Sequence, residues 1–437
     1  MPPVRPGALA VLTVALAGCG QSAPSPSADK GGVTTPREVT TTPADAGNPR
    51  EPQARAALTL APASAPPVTP VPEPSYTPWP GFGHDPQHTG SAPVRGPRSG
   101  AVRWTRELEG AVVPGPAIAE DGTVYAASNG GVLHALDPAT GEDRWTFDGG
   151  GSYGSDLSTV PLVLPSGVVL WPGPNQTLFA LGPDGKERWR LAFDAPVLSP
   201  ARGGDGTVYV SDMASGLRAL DVSGSAPRTR WSLALGAGTA YANATVGPDG
   251  TVFGAVDDQL VAVRDAGTRG TVRWRFRAKS IIEVSPAVAA DGTVVLGTND
   301  AFQYGVGPDG KERWRTPRNS LTYSSAAVTA AGVAYYGDHR GALNVVDARN
   351  GKVLARHVGQ ARTKARGDVG IWTAPAIDRE GSVYFGTRVG RVYGFSATGR
   401  KLLDVDTGAT VDSNPALGAD GTLYIGSESG KLYAFGG

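Results

Sequence analysis

Residues Thr123–Trp145 read TVYAASNGGVLHALDPATGEDRW. Two short apolar runs, Thr123–Ala127 and Val132–Asp137, flank the polar stretch Ser128–Gly131. Pro138–Gly141 then turns the chain into a third run that ends on Trp145. β-Branched and aromatic residues between glycine-bearing turns make all three runs strands. Asp121–Gly122 precedes the first run, and both residues tolerate the positive φ of a tight hairpin. Variants of this unit recur seven more times. Their turn glycines form a column at Gly122, Gly167, Gly206, Gly250, Gly292, Gly332, Gly381 and Gly421. The intervals, by subtraction, are 45, 39, 44, 42, 40, 49 and 40 residues.

A period near forty with short strands in each unit predicts an all-β fold, an eight-bladed β-propeller of four-stranded antiparallel blades. Six residues before each glycine stand Pro116, Pro161, Pro200, Ala244, Pro286, Ala326, Pro375 and Pro415. Proline donates no backbone hydrogen bond, which suits the first residue of a strand. Runs such as Lys431–Phe435 are apolar on both faces, as a sheet sandwiched between neighbours requires. Ala101–Arg106, with Trp104, reads as an orphan strand. The last repeat supplies only three, so the orphan is expected to complete blade eight beside residues 413–435 and remove the open edge.

The residues that follow the second strand carry a resemblance. Ala135-Leu136-Asp137, then Thr140-Gly141 and Trp145, resemble the tryptophan-docking repeat of the pyrroloquinoline quinone (PQQ)-like β-propeller family. Gly185-Lys-Glu-Arg-Trp189 and Gly310-Lys-Glu-Arg-Trp314 repeat the pattern, and Trp231 and Trp274 follow it with looser spacing. Leu354 and Leu403 stand where the sixth and seventh tryptophans are expected. The resemblance covers about residues 101–437 and implies that Trp104, Trp145, Trp189, Trp231, Trp274 and Trp314 form a structural girdle. The family has an enzymatic branch, the PQQ- and calcium-dependent quinoprotein dehydrogenases. It also has a non-enzymatic lipoprotein branch, the BamB-like barrel-assembly factors of the outer membrane. Fold does not choose between them.

Composition narrows the choice. The chain has 437 residues, a formal net charge of 0, 61 glycines, 37 prolines and one cysteine. Zero net charge offers no field to draw in nucleic acid, and a single cysteine permits no internal disulfide. Residues 1–19 read as an export signal, with Arg5 before the apolar core Ala8–Ala17. Leu16-Ala17-Gly18-Cys19 resembles a bacterial lipobox, which implies that Cys19 carries lipid and anchors the chain to a membrane. No aspartate follows Cys19, so an outer-membrane location is favoured over the inner membrane. Residues 20–78, rich in Pro, Ala, Ser and Thr, read as a disordered tether.

Residues 79–100 read as a lead-in segment that packs on the propeller. Trp79-Pro-Gly-Phe-Gly-His-Asp-Pro-Gln-His-Thr-Gly90 holds two histidines, His84 and His88. Their spacing places ligands together only on a helix, and Pro86 with the glycines argues against one. The expectation is no metal, with Trp79 and Phe82 as packing residues and the polar residues satisfying local turns.

In such a blade the Asp-Gly turns lie on one face, while the between-blade loops and middle turns lie on the other. Variable loops on a rigid scaffold are where binding concentrates. Tyr241, Glu283, Tyr323, Trp372 and Asp412 each stand just before a first strand and are expected to ring one channel mouth. The insertion Arg356–Trp372 adds Arg362, Lys364 and Arg366, the densest basic cluster in the chain, running into Trp372. Arginine beside an aromatic is enriched at interface hot spots. A quinone site would cast Glu283 and Asp412 as ligands of the cation, Trp372 as a platform and Arg366 as a carboxylate partner. Against that, the lack of cysteine after Cys19 excludes both a vicinal disulfide and a Cys-x-x-Cys-His haem site. The sequence thus points to a monomeric, membrane-anchored interaction scaffold of the bacterial envelope with no cofactor and no catalytic residues. A quinoprotein dehydrogenase and a surface sensor or adhesion module are the alternatives.

Overall fold

The computed structural model describes residues 79–153, 159–318, 320–358 and 369–436. The signal, the tether and Cys19 lie outside them. Every regular element among the described residues is a strand, and the strands form eight four-stranded antiparallel sheets. Blade 1 shows the unit: Ala117–Ile118, Val124–Ala127, Val132–Leu136 and Asp143–Asp148, from the axis outward. Both middle strands are buried almost throughout, whereas the outer strand alternates between exposed and half-buried. A middle strand has a neighbouring blade on each side, and an outer strand meets water on one. The outer strand runs three residues beyond Trp145, so the tryptophan lies inside it rather than at its end.

The orphan strand closes the ring as its pattern predicts. Val102–Glu107 pairs antiparallel with Lys431–Phe435, from Val102 opposite Phe435 to Glu107 opposite Lys431. The turn glycines all adopt positive φ, between 74° and 86°. At Gly421 the site is doubly restrictive, because an added Cβ would lie 2.1 Å from the Arg95 carbonyl oxygen.

The tryptophans join one blade to the next. Trp104 donates its indole N–H to the Pro138 carbonyl of blade 1 at 2.9 Å, and Trp145 to Pro183 of blade 2 at 2.9 Å. Trp274 reaches Pro308 at 2.8 Å, Trp314 reaches Ala348 at 2.7 Å, and Trp231 reaches the Asp265 carboxylate at 2.9 Å. Four rings cover a turn glycine of the next blade, such as Gly141 under Trp104 and Gly351 under Trp314, where a Cβ would collide with the indole. Across its own sheet each tryptophan faces alanine or glycine: Ala135, Ala180, Ala219, Ala262, Gly305 or Ala434.

Blade 6 corrects one assignment. Its tryptophan position, opposite Val345, is held by Ala355 and not by Leu354, which is 39% exposed. The volumes are exchanged across the pair, valine for alanine on one strand and alanine for tryptophan on the other. In blade 7 the buried Leu403 does hold the position, opposite Gly394.

The arginine before a girdle tryptophan clamps the Asp-Gly turn of its own blade in the five blades that have both. Arg144 reaches Thr123 at 2.6 Å and Asp121 at 3.3 Å, Arg273 reaches Asp249 at 2.9 Å, and Arg230 reaches Asp205 at 3.1 Å. Arg103 pairs likewise with Asp420. Partial burial works against these four carboxylates, but the threonine hydrogen bonds and the arginines outweigh it and hold them below the usual aspartate value. A depressed folded-state pKa gives stability that is complete above the unfolded value and lost as pH falls through the folded one. Urea midpoints are therefore expected to fall steeply below about pH 4, with a shallower fall in an Arg144→Ala, Arg230→Ala, Arg273→Ala variant.

Candidate functional site

The two ends of the central channel are built differently. At the Asp-Gly end, residues 79–94 circle the axis in blade order. The second residue of the innermost strand donates its N–H to this segment in six blades. The pairs are Ile118 to Trp79, Val163 to Pro80, Val246 to Pro86, Val288 to Gln87, Val328 to Thr89 and Ile377 to Gly90, at 2.7–2.9 Å. These are edge groups that no strand would otherwise satisfy. Trp79, Phe82, His84 and His88 are all buried. The histidine rings pack edge-on against Trp79 and Phe82, and His88 Nδ1 lies 3.0 Å from Thr245 Oγ1. Both histidines adopt positive φ, which a helix does not allow. Trp79 and Phe82 pack and Asp85 caps a local turn at Thr89, but neither histidine side chain serves a local turn, and the segment also closes a channel mouth, which its pattern did not reveal.

At the opposite end a second ring lies just inside the mouth. Val160 N–H donates to Ser199 Oγ, Ser199 N–H to Asn243 Oδ1, Asn243 N–H to Ser285 Oγ and Ser285 N–H to Ser325 Oγ, at 2.8–3.0 Å. Ala374 N–H donates to Asn414 Oδ1 at 2.7 Å. Each bond joins a blade to its successor. The residues stand one position before the proline column, so a column of serine and asparagine was present in the sequence and went unused.

Outside that ring lie the five residues read as a rim, and they do not form one group. Tyr241 is exposed on blade 4. Glu283 accepts a hydrogen bond from Asn299 Nδ2 at 2.7 Å within blade 5. Tyr323, Trp372 and Asp412 belong to a continuous cluster across blades 6 to 8. Tyr323 lies 4.8 Å from His339 and 4.7 Å from Trp372, and His339 lies 5.0 Å from Trp372, between ring centroids. The Arg388 guanidinium stands 3.7 Å over the Trp372 ring and is ion-paired with Asp412. His339 and Arg388, which the sequence reading missed, come from the middle turns of blades 6 and 7. Each turn is docked on the loop preceding its own innermost strand: His339 N–H donates to the Leu321 carbonyl and Arg388 N–H to Gly370.

Arg356, read as the start of the insertion, belongs to a strand. It lies in the outer strand Val353–Val358, and its guanidinium pairs with buried Asp338 at 2.9 Å. Arg362, Lys364 and Arg366 lie outside the described residues. Glu283 and Asp412, cast as ligands of one cation, sit on blades 5 and 8 and are each engaged by their own partner. No group of three or more His, Cys, Asp or Glu side chains is placed for metal binding among the described residues.

A family profile described as "Outer membrane protein assembly factor BamB" matches residues 93–169, 154–240 and 224–436. The chain belongs to this family of PQQ-like β-propellers. BamB from Moraxella catarrhalis superposes with a TM-score of 0.57 and 16% identity, covering 77% of this chain and 99% of that one. Quinohemoprotein alcohol dehydrogenase from Comamonas testosteroni superposes with a TM-score of 0.64 and 14% identity, covering 82% and 80%. At such identities both show the shared propeller and nothing of its use. The serine/threonine-protein kinase AfsK of Streptomyces griseus is 31% identical over 197 residues, 42% of this chain and 23% of that protein. The chain thus spans under a quarter of that relative. PQQ-like propellers of this kind therefore stand beside a non-enzymatic assembly factor, a dehydrogenase and a kinase.

Proposed function

We propose that this PQQ-like propeller is a non-enzymatic scaffold, held to the bacterial envelope by lipid on Cys19, that binds an envelope protein at its variable mouth. The observation that carries the reading is the asymmetry of the channel. One mouth is covered by residues 79–94, and the other presents Tyr323, His339, Trp372 and Arg388 at half-exposed positions. Aromatic rings with an overlying guanidinium are the composition of interface hot spots. Service in outer-membrane protein assembly is the finer form of this proposal, and it draws on the family match. The carboxylates that a quinone site would need are distributed and engaged, which weighs against a dehydrogenase.

The test joins anchor and mouth. Cys19→Ser is expected to abolish labelling by a palmitate analogue and membrane fractionation, while the propeller's melting temperature is kept. The triple variant Arg362→Ala, Lys364→Ala, Arg366→Ala is expected to weaken capture of the barrel-assembly machinery from solubilised envelope. It is also expected to flatten the salt dependence of that capture, with little change in melting temperature. Capture unchanged with a fall of many degrees in melting would make the insertion structural. An unlabelled wild-type protein would remove the anchor from the proposal.

A further inference from the structure

Eight copies of one blade provide an internal comparison, and blade 5 breaks it at two positions that meet in space. One position at the start of the third strand lies opposite the end of the second. Taken as the partner of the residue five places after the turn glycine, this position is leucine or valine in seven blades, among them Leu133, Leu260, Leu343 and Val392. In blade 5 it is Gln303, opposite Gly297. The residue four places after the girdle tryptophan is uncharged in the other described blades, as in Phe193, Leu235 and Ala278. In blade 5 it is Arg318, whose N–H donates to the Ala301 carbonyl at 2.7 Å.

Both side chains are buried, Gln303 at 0% and Arg318 at 7% exposure. They converge beside Gly297. A Cβ placed there would lie 3.1 Å from Gln303 Oε1 and 3.3 Å from Arg318 Nη1. Arg318 Nη2 donates to the Thr298 carbonyl. Arg318 Nε and Nη1 and both atoms of the Gln303 amide have no hydrogen-bond partner in the protein. Leaving such groups unmet inside a protein costs about 1–3 kcal/mol each, and more for a charge. The acids nearby are occupied. Asp300 accepts from Tyr304 at 2.7 Å, and Asp338 from Arg356 at 2.9 Å. Burial pushes the Arg318 guanidinium down to about 10, although Asp300 and Asp338 act in the other direction.

The unmet atoms are three donors, Arg318 Nε and Nη1 with Gln303 Nε2, and one acceptor, Gln303 Oε1. Water donates as much as it accepts, so it would leave donors over. The excess of donors around a positive charge selects an acceptor with negative charge. We infer that Gln303 and Arg318, where they converge beside Gly297 and Thr322, form a binding site for a small monovalent anion of halide size.

Bromide serves as the probe, because its anomalous scattering identifies it in crystals of the intact propeller. Bromide is expected to appear in contact with Arg318 and Gln303. The melting temperature is expected to rise with the logarithm of bromide concentration at constant ionic strength balanced with gluconate, as binding to the folded state alone requires. Gln303→Leu restores the residue used by the other blades, so it is expected to fold and to weaken the bromide dependence several-fold. Gln303→Leu with Arg318→Leu is expected to abolish it. Water at the position in bromide-soaked crystals would overturn the inference. So would an equal bromide dependence in the double variant, and bromide density without stabilisation would mean an adventitious ion only.

Discussion

Trp189→Ala and Trp314→Ala are each expected to lower the free energy of unfolding by roughly 3–5 kcal/mol in denaturant titrations, as large-to-small changes at buried aromatics do. Trp189 is 8% exposed within a cluster that includes Leu162, Leu178, Val208 and Leu220, so its ring touches blades 2 and 3 together. Trp314 is 7% exposed, covers Gly351, and bonds the Ala348 carbonyl of the next blade. Its removal leaves both a cavity and an unmet carbonyl. Trp274 is only half-buried, so Trp274→Ala is expected to cost less than either. The order is the diagnostic result: equal losses at all three positions, or losses below about 1 kcal/mol at the buried pair, would contradict the docking role.

The second large effect is a pH dependence with its source in the covered mouth. His88 is fully enclosed, and burial lowers its pKa from 6.5 to about 4 despite Asp85 and the Pro286 carbonyl acting in the other direction. The neutral ring is therefore the folded form. The unfolded chain takes a proton first as pH falls, so this stability is complete above pH 6.5 and is lost between there and about 4. A displacement of that size corresponds to about 3 kcal/mol across the window. Urea titrations at pH 7.5 and 5 are expected to show the loss. His88→Asn, which tolerates the positive φ, is expected to flatten it. This window lies above the one set by the Asp-Gly carboxylates, so the two are separable in one protein.

The blade count was legible from a glycine column repeated eight times, the girdle from a tryptophan present in six blades, and the closing strand from the three-stranded last repeat. Glycine at the turn and tryptophan on the outer strand are local requirements of φ and of volume. Leu354 was misplaced because the bulge that shifts the outer strand's register shows only in pairing, between Val345 and Val346. The ring of Ser199, Asn243, Ser285 and Ser325 was hidden for another reason. Its members bond between blades, and short polar residues before a proline read equally well as turn formers. The path of residues 79–94 could not be read, because its partners lie up to roughly three hundred residues away along the chain and the Ile or Val they share at that strand position reads equally well as core. Trp372 was singled out by its neighbours in sequence, yet the groups that touch it, His339, Tyr323 and Arg388, come from other loops.

The course of residues 79–94 also settles how the molecule meets a pull on its N-terminus. Tension arriving at Trp79 reaches the backbone bonds to six blades before it reaches the closing strand Val102–Glu107. Without that segment, the same force would peel one outer strand from Lys431–Phe435 and open the ring bond by bond. With it, the load enters at the axis and is divided among blades on every side, so the weakest seam of the circle is shielded from the handle by which the protein would be held.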